Sequence, residues 1–95
     1  MKGRDTREKL LEIVENMPQM NKAAFYSDPF VEPLVEELHS RWASNGYRGE
    51  PVDYATDEEA EKLLELAKRY ASMPAWQAYR VFLERTEGRG GGGRD

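Results

Sequence analysis

His39 follows Glu36 by three residues in Glu36-Glu37-Leu38-His39, and residues three apart share a helix face. A carboxylate and an imidazole at this spacing are what one helix offers a di-iron or di-manganese centre. Such a centre needs a second matching pair and more inward carboxylates, and the chain has only this histidine. On a helical wheel Glu36 turns away from the stripe that contains Leu38, and His39 lies at its border. The pair therefore reads as part of a solvated face. The acids Asp57, Glu58, Glu59 and Glu61 lack the alternating ligands and central glycine of a calcium loop, and first-turn acids on a capped helix account for them. There is no cysteine, which removes disulfides and thiolate metal sites. Ser27, Ser40, Ser44 and Ser72 fall at caps, helix surfaces or helix ends, and neither a Gly-x-Ser-x-Gly elbow nor a phosphate loop is present. These residues predict no catalytic group, no metal and no cofactor.

Two arginines in Gly88-Arg89-Gly90 through Arg94 resemble, weakly, the Arg-Gly-Gly segments that hold single-stranded nucleic acid, but no aromatic lies among them to stack on a base. A helix-turn-helix drawn over the middle of the chain would present Asp57, Glu58, Glu59 and Glu61 to phosphates, where like charges repel. Charge is unevenly placed. Residues 32–65 hold ten acids against three bases, whereas Lys2, Arg4, Arg7 and Lys9 cluster at one end and Arg80, Arg85, Arg89 and Arg94 toward the other. Nucleic acid bound by these basic ends is the alternative reading, and it is not the favoured one.

The elements that must position these residues are helices. Asp5 or Thr6 supplies an N-cap, Leu10, Leu11, Ile13, Val14 and Met17 follow at helical spacing, and Pro18 stops the first helix. Residues 18–28 read as a connector in which Lys22–Tyr26 could make one turn, and Phe25, Tyr26 and Phe30 as a staple onto the second helix. That helix opens at Ser27-Asp28-Pro29, or near residue 32 because of Pro33. It carries Val31, Leu34, Val35, Leu38 and Trp42 on one stripe and stops at Asn45-Gly46. An irregular stretch, 47–55, leads to a third helix with a Thr56/Glu59 capping box and an inner face of Ala60, Leu63, Leu64, Leu66, Ala67, Tyr70 and Ala71. A C-terminal helix runs from about Ala75 to Arg85.

At 95 residues, with 39% hydrophobic and 34% charged residues and a net charge of −4, the chain is one domain near the lower limit for a self-sufficient core. The expected organisation is a flexible N-terminus (1–5), a single all-α domain (6–86) built as a small bundle or orthogonal array of about four helices, and a disordered Gly/Arg tail (87–95). No apolar run reaches membrane-spanning length and no signal peptide opens the chain, which makes the cytoplasm the expected compartment and excludes a membrane partner.

The C-terminal helix departs from ordinary amphipathicity. Ala75, Trp76, Ala78, Tyr79, Phe82 and Leu83 form a continuous apolar arc that Val81 extends to about 220°, against the ~100° or more that a surface helix turns to its own core. Either this helix is central and covered on several sides, or Trp76, Tyr79, Arg80 and Leu83 meet another chain. Aromatics flanked by arginine are what interface cores favour. The sequence thus points to a non-catalytic protein-interaction module, such as an accessory subunit, a regulator or a virus-encoded small protein. Its partner would be a larger protein or a second copy of itself, a dimer first.

Overall fold

Pro18 sets how the chain leaves its first helix. Its fixed φ of −58° and ψ of 154° break the helical path after Asn16, and its carbonyl accepts the Lys22 N–H at 2.8 Å to start the next helix. In the computed structural model, which describes the backbone of residues 2–94 and the side chains of residues 6–87, the order is α1 (Lys2–Asn16), α2 (Gln19–Tyr26), α3 (Val31–Ser44), a 3₁₀ turn (Pro51–Tyr54), α4 (Asp57–Ala71) and α5 (Ala75–Arg94). The described residues contain no strand, and the fold is all-α. Three boundaries differ from expectation. The backbone of α1 is helical from Lys2, ahead of the Asp5/Thr6 cap, and the connector at 18–28 holds a helix of its own, α2. The backbone of α5 is helical to Arg94, past the end expected near Arg85 and through most of the expected Gly/Arg tail (87–95), while the side chains of residues 1–5 and 88–95 lie outside the described residues.

The caps explain the remaining boundaries. Asp28 Oδ1 accepts the Phe30 N–H at 2.8 Å and the Val31 N–H at 3.4 Å, so α3 begins at Val31. Pro33 follows in the same first turn, directly after the Glu32 N–H that meets Asp28 O at 2.9 Å. At the other end Gly46 adopts φ +76°, the Gly46 N–H reaches Ala43 O at 3.1 Å, and the Tyr47 N–H reaches Trp42 O at 3.0 Å. These are the two bonds of a Schellman stop, and its hydrophobic contact is present as the edge-on Trp42–Tyr47 ring pair, centroids 5.0 Å apart. α4 opens on the expected box, with the Glu59 N–H on Thr56 Oγ1 at 3.1 Å and the Thr56 N–H on Glu59 Oε1 at 2.9 Å.

Packing runs α1 along α4, α2 across both α4 and α5, and the 3₁₀ turn against α3. The core joins Leu10 and Met17, Ala24 and Phe25, Val31, Leu34 and Leu38 to Ala60, Leu63, Leu66, Ala67 and Tyr70 of α4 and Ala78 of α5. Two arginines fasten the ends of this frame. Arg41 meets both Glu59 carboxylate oxygens, at 2.9 and 3.3 Å, and Tyr54 O at 2.9 Å; Arg7 of α1 reaches Val52 O at 3.3 Å, Ala55 O, and Asp57 Oδ1 at 3.2 Å. The first arginine, and to a lesser degree the Thr56 amide, hold the Glu59 carboxyl below its ordinary range. No described helix is long and apolar enough to cross a membrane.

Gly49 also has positive φ, +70°, and a Cβ there would stand 2.7 Å from Asp53 Oδ2, the oxygen that accepts the Glu50 N–H. Gly46 has open space around its Cα. Gly46→Ala is therefore expected to lose only the left-handed backbone term, about 1 kcal/mol, and Gly49→Ala about 1 kcal/mol more through the displaced Asp53 bond. Urea midpoints at constant m-value read the difference. Equal losses would mean that Asp53 gives way freely.

Candidate functional site

Pro74 starts α5 by accepting the N–H groups of Gln77 and Ala78 at 3.0 and 3.1 Å. With ~100° per residue, Ala78, Val81, Phe82 and Arg85 fall within one arc of about 100°. Ala78 is fully buried, while Val81 and Phe82 are half-buried against the core. Trp76, Tyr79 and Leu83, at i, i+3 and i+7, fall on a separate arc of about 60°. Trp76 is 63% exposed and Tyr79 49% exposed, while Leu83 is half-buried and Arg80 is exposed beside them. The unusual width of the apolar arc thus splits into a seated side and an uncovered side. α5 is not a central helix covered all round; its principal packing partner is α2.

What aims the uncovered side outward is a polar anchor on the seated side. Arg85 Nη1 donates to Ala24 O at 2.9 Å and Ser27 Oγ at 3.3 Å, and Nη2 donates to the Tyr70 hydroxyl at 2.6 Å. The same hydroxyl donates to Asp28 Oδ2 at 2.6 Å, and the guanidinium lies 5.5 Å from the centre of the Tyr70 ring and 3.8 Å from the carboxylate. Burial pushes the Asp28 carboxyl upward, but the Tyr70 hydroxyl, the Phe30 and Val31 amides and Arg85 together hold it below its ordinary value. Burial, then the Asp28 bond, raise the Tyr70 phenol. Next to this network Asn21 Nδ2 donates to Tyr70 O at 2.7 Å and Met73 O at 2.8 Å, tying the end of α4 to α2. Both acceptors are carbonyls, so the amide must face them with its NH2 group. Its Oδ1 meets no donor among the described residues, a cost the two donated bonds have to exceed.

The residues weighed for metal or nucleic-acid binding are placed as follows. His39 Nδ1 lies 2.9 Å from Val35 O on an exposed face, and the described residues contain no group of three His, Cys, Asp or Glu that could hold a metal ion, so Glu36 and His39 gain no third ligand. Of the terminal bases, Arg7 and Arg85 turn inward to the contacts given above, which removes them from a phosphate-binding surface. Phe25 is buried as a staple requires, whereas Tyr26 and Phe30 remain 42% and 39% exposed.

One feature was not visible in the spacing. A half-open cavity of about 320 Å³ is lined by Leu11 and Val14 of α1, Phe25 and Tyr26 of α2, Val35, Leu38 and His39 of α3, Leu63 of α4, and Glu50, Pro51 and Val52 at the 3₁₀ turn. The stripes of α1 and α3 each look like a face turned to one shared core. In space neither helix is the other's principal partner, and residues of both stripes line the opening between them. The chain matches no protein-family model, no curated protein and no solved structure.

The anchor gives a pH dependence with a definite sign. A carboxyl whose folded pKa is depressed contributes stability that is complete above its unfolded value, near 3.8, and is lost as pH falls through the folded value. Asp28→Asn should therefore cost more stability at pH 7 than at pH 2.5, and the gap between its urea midpoint and that of the unsubstituted protein should narrow below about pH 4. A gap independent of pH would show that the Asp28 charge contributes nothing.

Proposed function

We propose that this chain is a non-catalytic protein-interaction module that docks onto another protein chain through the outer stripe of α5, Trp76, Tyr79 and Leu83, with Arg80 at its edge. The observation that carries this reading is the 63% exposure of Trp76 beside a 49% exposed Tyr79 on a helix whose opposite side is already seated and anchored. Isolated exposed apolar residues are ordinary; a tryptophan, a tyrosine and a leucine aligned on one helix face are not. Anchors at i, i+3 and i+7 are what a helix presents when it lies in an apolar groove of its partner. Large aromatics also dominate interface energies, because each removes much apolar area from water while few torsions have to be fixed. Acidic side chains on the outer faces of α3 and α4, among them Glu36, Glu58, Glu61 and Glu65, would keep the rest of the surface hydrated and bias partner choice by charge.

Trp76→Ala combined with Tyr79→Ala is expected to leave far-UV circular dichroism unchanged and to shift Tm by less than about 4 °C, since neither ring is in the core. The same variant should weaken association by tenfold or more, corresponding to about 1.4 kcal/mol, read as solution mass against concentration by light scattering. A variant that unfolds would place the rings in the monomer's own core and sink the reading.

A further inference from the structure

Asn45-Gly46 ends α3, and an asparagine followed by glycine is the pairing in which the main chain most readily attacks the side-chain amide, because glycine has no Cβ to hinder the approach of its nitrogen. The Gly46 nitrogen adds to Asn45 Cγ and gives up its proton, the Cγ–Nδ2 bond breaks, and Nδ2 leaves as ammonia. The five-membered succinimide that results takes up one water at either carbonyl and opens to aspartate or isoaspartate. Water is the only co-reactant, and no group is oxidised or reduced. Access is free: Asn45 and Gly46 are both exposed, and a Cβ on Gly46 would meet nothing within 4 Å. The other two asparagines, Asn16 and Asn21, precede Met17 and Lys22, whose side chains crowd the corresponding nitrogen.

The folded turn restrains this chemistry. Asn45 has φ −105° and ψ 22°, which sets the Gly46 nitrogen nearly opposite Asn45 Cβ across the Cα–C bond, whereas ring closure needs the two on the same side. Both reacting groups are also tied: Asn45 Nδ2 donates to Arg41 O at 2.7 Å, and the Gly46 N–H donates to Ala43 O at 3.1 Å. The Tyr47 N–H on Trp42 O and the Trp42–Tyr47 ring pair close the turn behind them. All of this is local. Tyr47 is 65% exposed and sits at φ +60°, a strained value for a residue with a Cβ, so the turn can open without the core opening.

We propose that Asn45 is a self-modification site, converted together with Gly46 to aspartate and isoaspartate at a rate set by opening of the turn that ends α3. Isoaspartate lengthens the main chain by one carbon between residues 45 and 46, so the Gly46 and Tyr47 amides cannot both return to Ala43 and Trp42. A carboxylate at a helix C-terminus also opposes the helix dipole. The modification therefore makes the opening permanent.

The full chain is incubated at neutral pH and body temperature, and amide loss is read site by site by mass spectrometry of proteolytic peptides. Loss at Asn45 is expected in the folded protein, about tenfold or more slower than in the same chain unfolded in urea, with Asn16 and Asn21 intact in both. Tyr47→Ala removes the ring that closes the turn and leaves the core alone; it should speed the loss several-fold with circular dichroism unchanged. Should that variant fail to fold, the unsubstituted chain in urea below its midpoint reads the same opening. Asn45→Gln should abolish the reaction, since attack would have to close a larger ring. Equal rates in the folded and unfolded chain, or no acceleration when the turn is loosened, overturn control by the turn. An Asn45 that keeps its amide throughout in the folded protein, or one that loses it no faster than Asn16 and Asn21 in urea, overturns the site.

Discussion

The Tyr70 hydroxyl joins three parts of this fold at one oxygen. It donates to Asp28 and accepts from Arg85, so the cap of α3, the body of α4 and the inner side of α5 meet there. Taking a carboxylate and a guanidinium out of water costs several kcal/mol for each ion unless hydrogen bonds replace the lost hydration. Here they do. Asp28 accepts from two backbone amides and from Tyr70, and Arg85 donates to Ala24 O, Ser27 Oγ and Tyr70. The direction of the Asp28 shift shows which contribution is larger: burial alone would raise the group, and the donors bring it below its ordinary value. The network is worth more in orientation than in net stability, because a hydrophobic substitute of the same volume can often match a buried ion pair energetically. What an apolar substitute could not do is fix the rotation of α5 about its own axis.

That rotation determines which side chains meet water. The apolar contacts of Ala78, Val81 and Phe82 are non-directional and fix the rotation of α5 less sharply than hydrogen bonds do. Arg85 lies on the same arc, and its bonds to α2 and α4 oppose a turn of α5 about its axis. Trp76 and Tyr79 are held outward as a consequence, and the protein retains exposed aromatic area that its core never uses. Asn21 acts similarly at the neighbouring corner: its two donated bonds hold the last turn of α4 against α2, and hence the point from which α5 departs.

The helices themselves were legible in the sequence wherever a local signal closed on itself. Thr56 and Glu59 cap α4 reciprocally, Asp28 caps α3, and Asn45-Gly46 ends it, because each of these arrangements is decided by residues within a few positions of one another. α2 was harder to see. Its eight residues carry only a short apolar pattern, and what holds them is tertiary: Ala24 and Phe25 in the core and Asn21 bonded across 49 and 52 positions. The excess width of the α5 apolar arc was legible, but its division into a seated and an open side was not. That division depends on Arg85 finding Tyr70 and Ala24, contacts made 15 and 61 positions away. The cavity had no local signature at all, since the stripes of α1 and α3 would look the same whether or not they faced each other.

An open cavity and an uncovered helix stripe on one small chain share a physical origin. A domain of this length buries little more than about 60% of the surface its unfolded chain exposes, so five amphipathic helices present more apolar face than one core can cover. In larger domains a further layer of structure takes up the remainder. Here α1 and α3 are held apart by the elements beneath them. α4 supports α1, while α3 is drawn toward the 3₁₀ turn and tied to α4 through Arg41 and Glu59. The opening between them is therefore built into the packing and does not depend on a loop that could close over it. α5, pinned on its inner side, cannot turn to fill the opening within its own chain. Apolar area that intramolecular packing cannot reach is left facing water. An exposed stripe on α5 and an open cavity beside α1 and α3 are then two consequences of how these helices share one core.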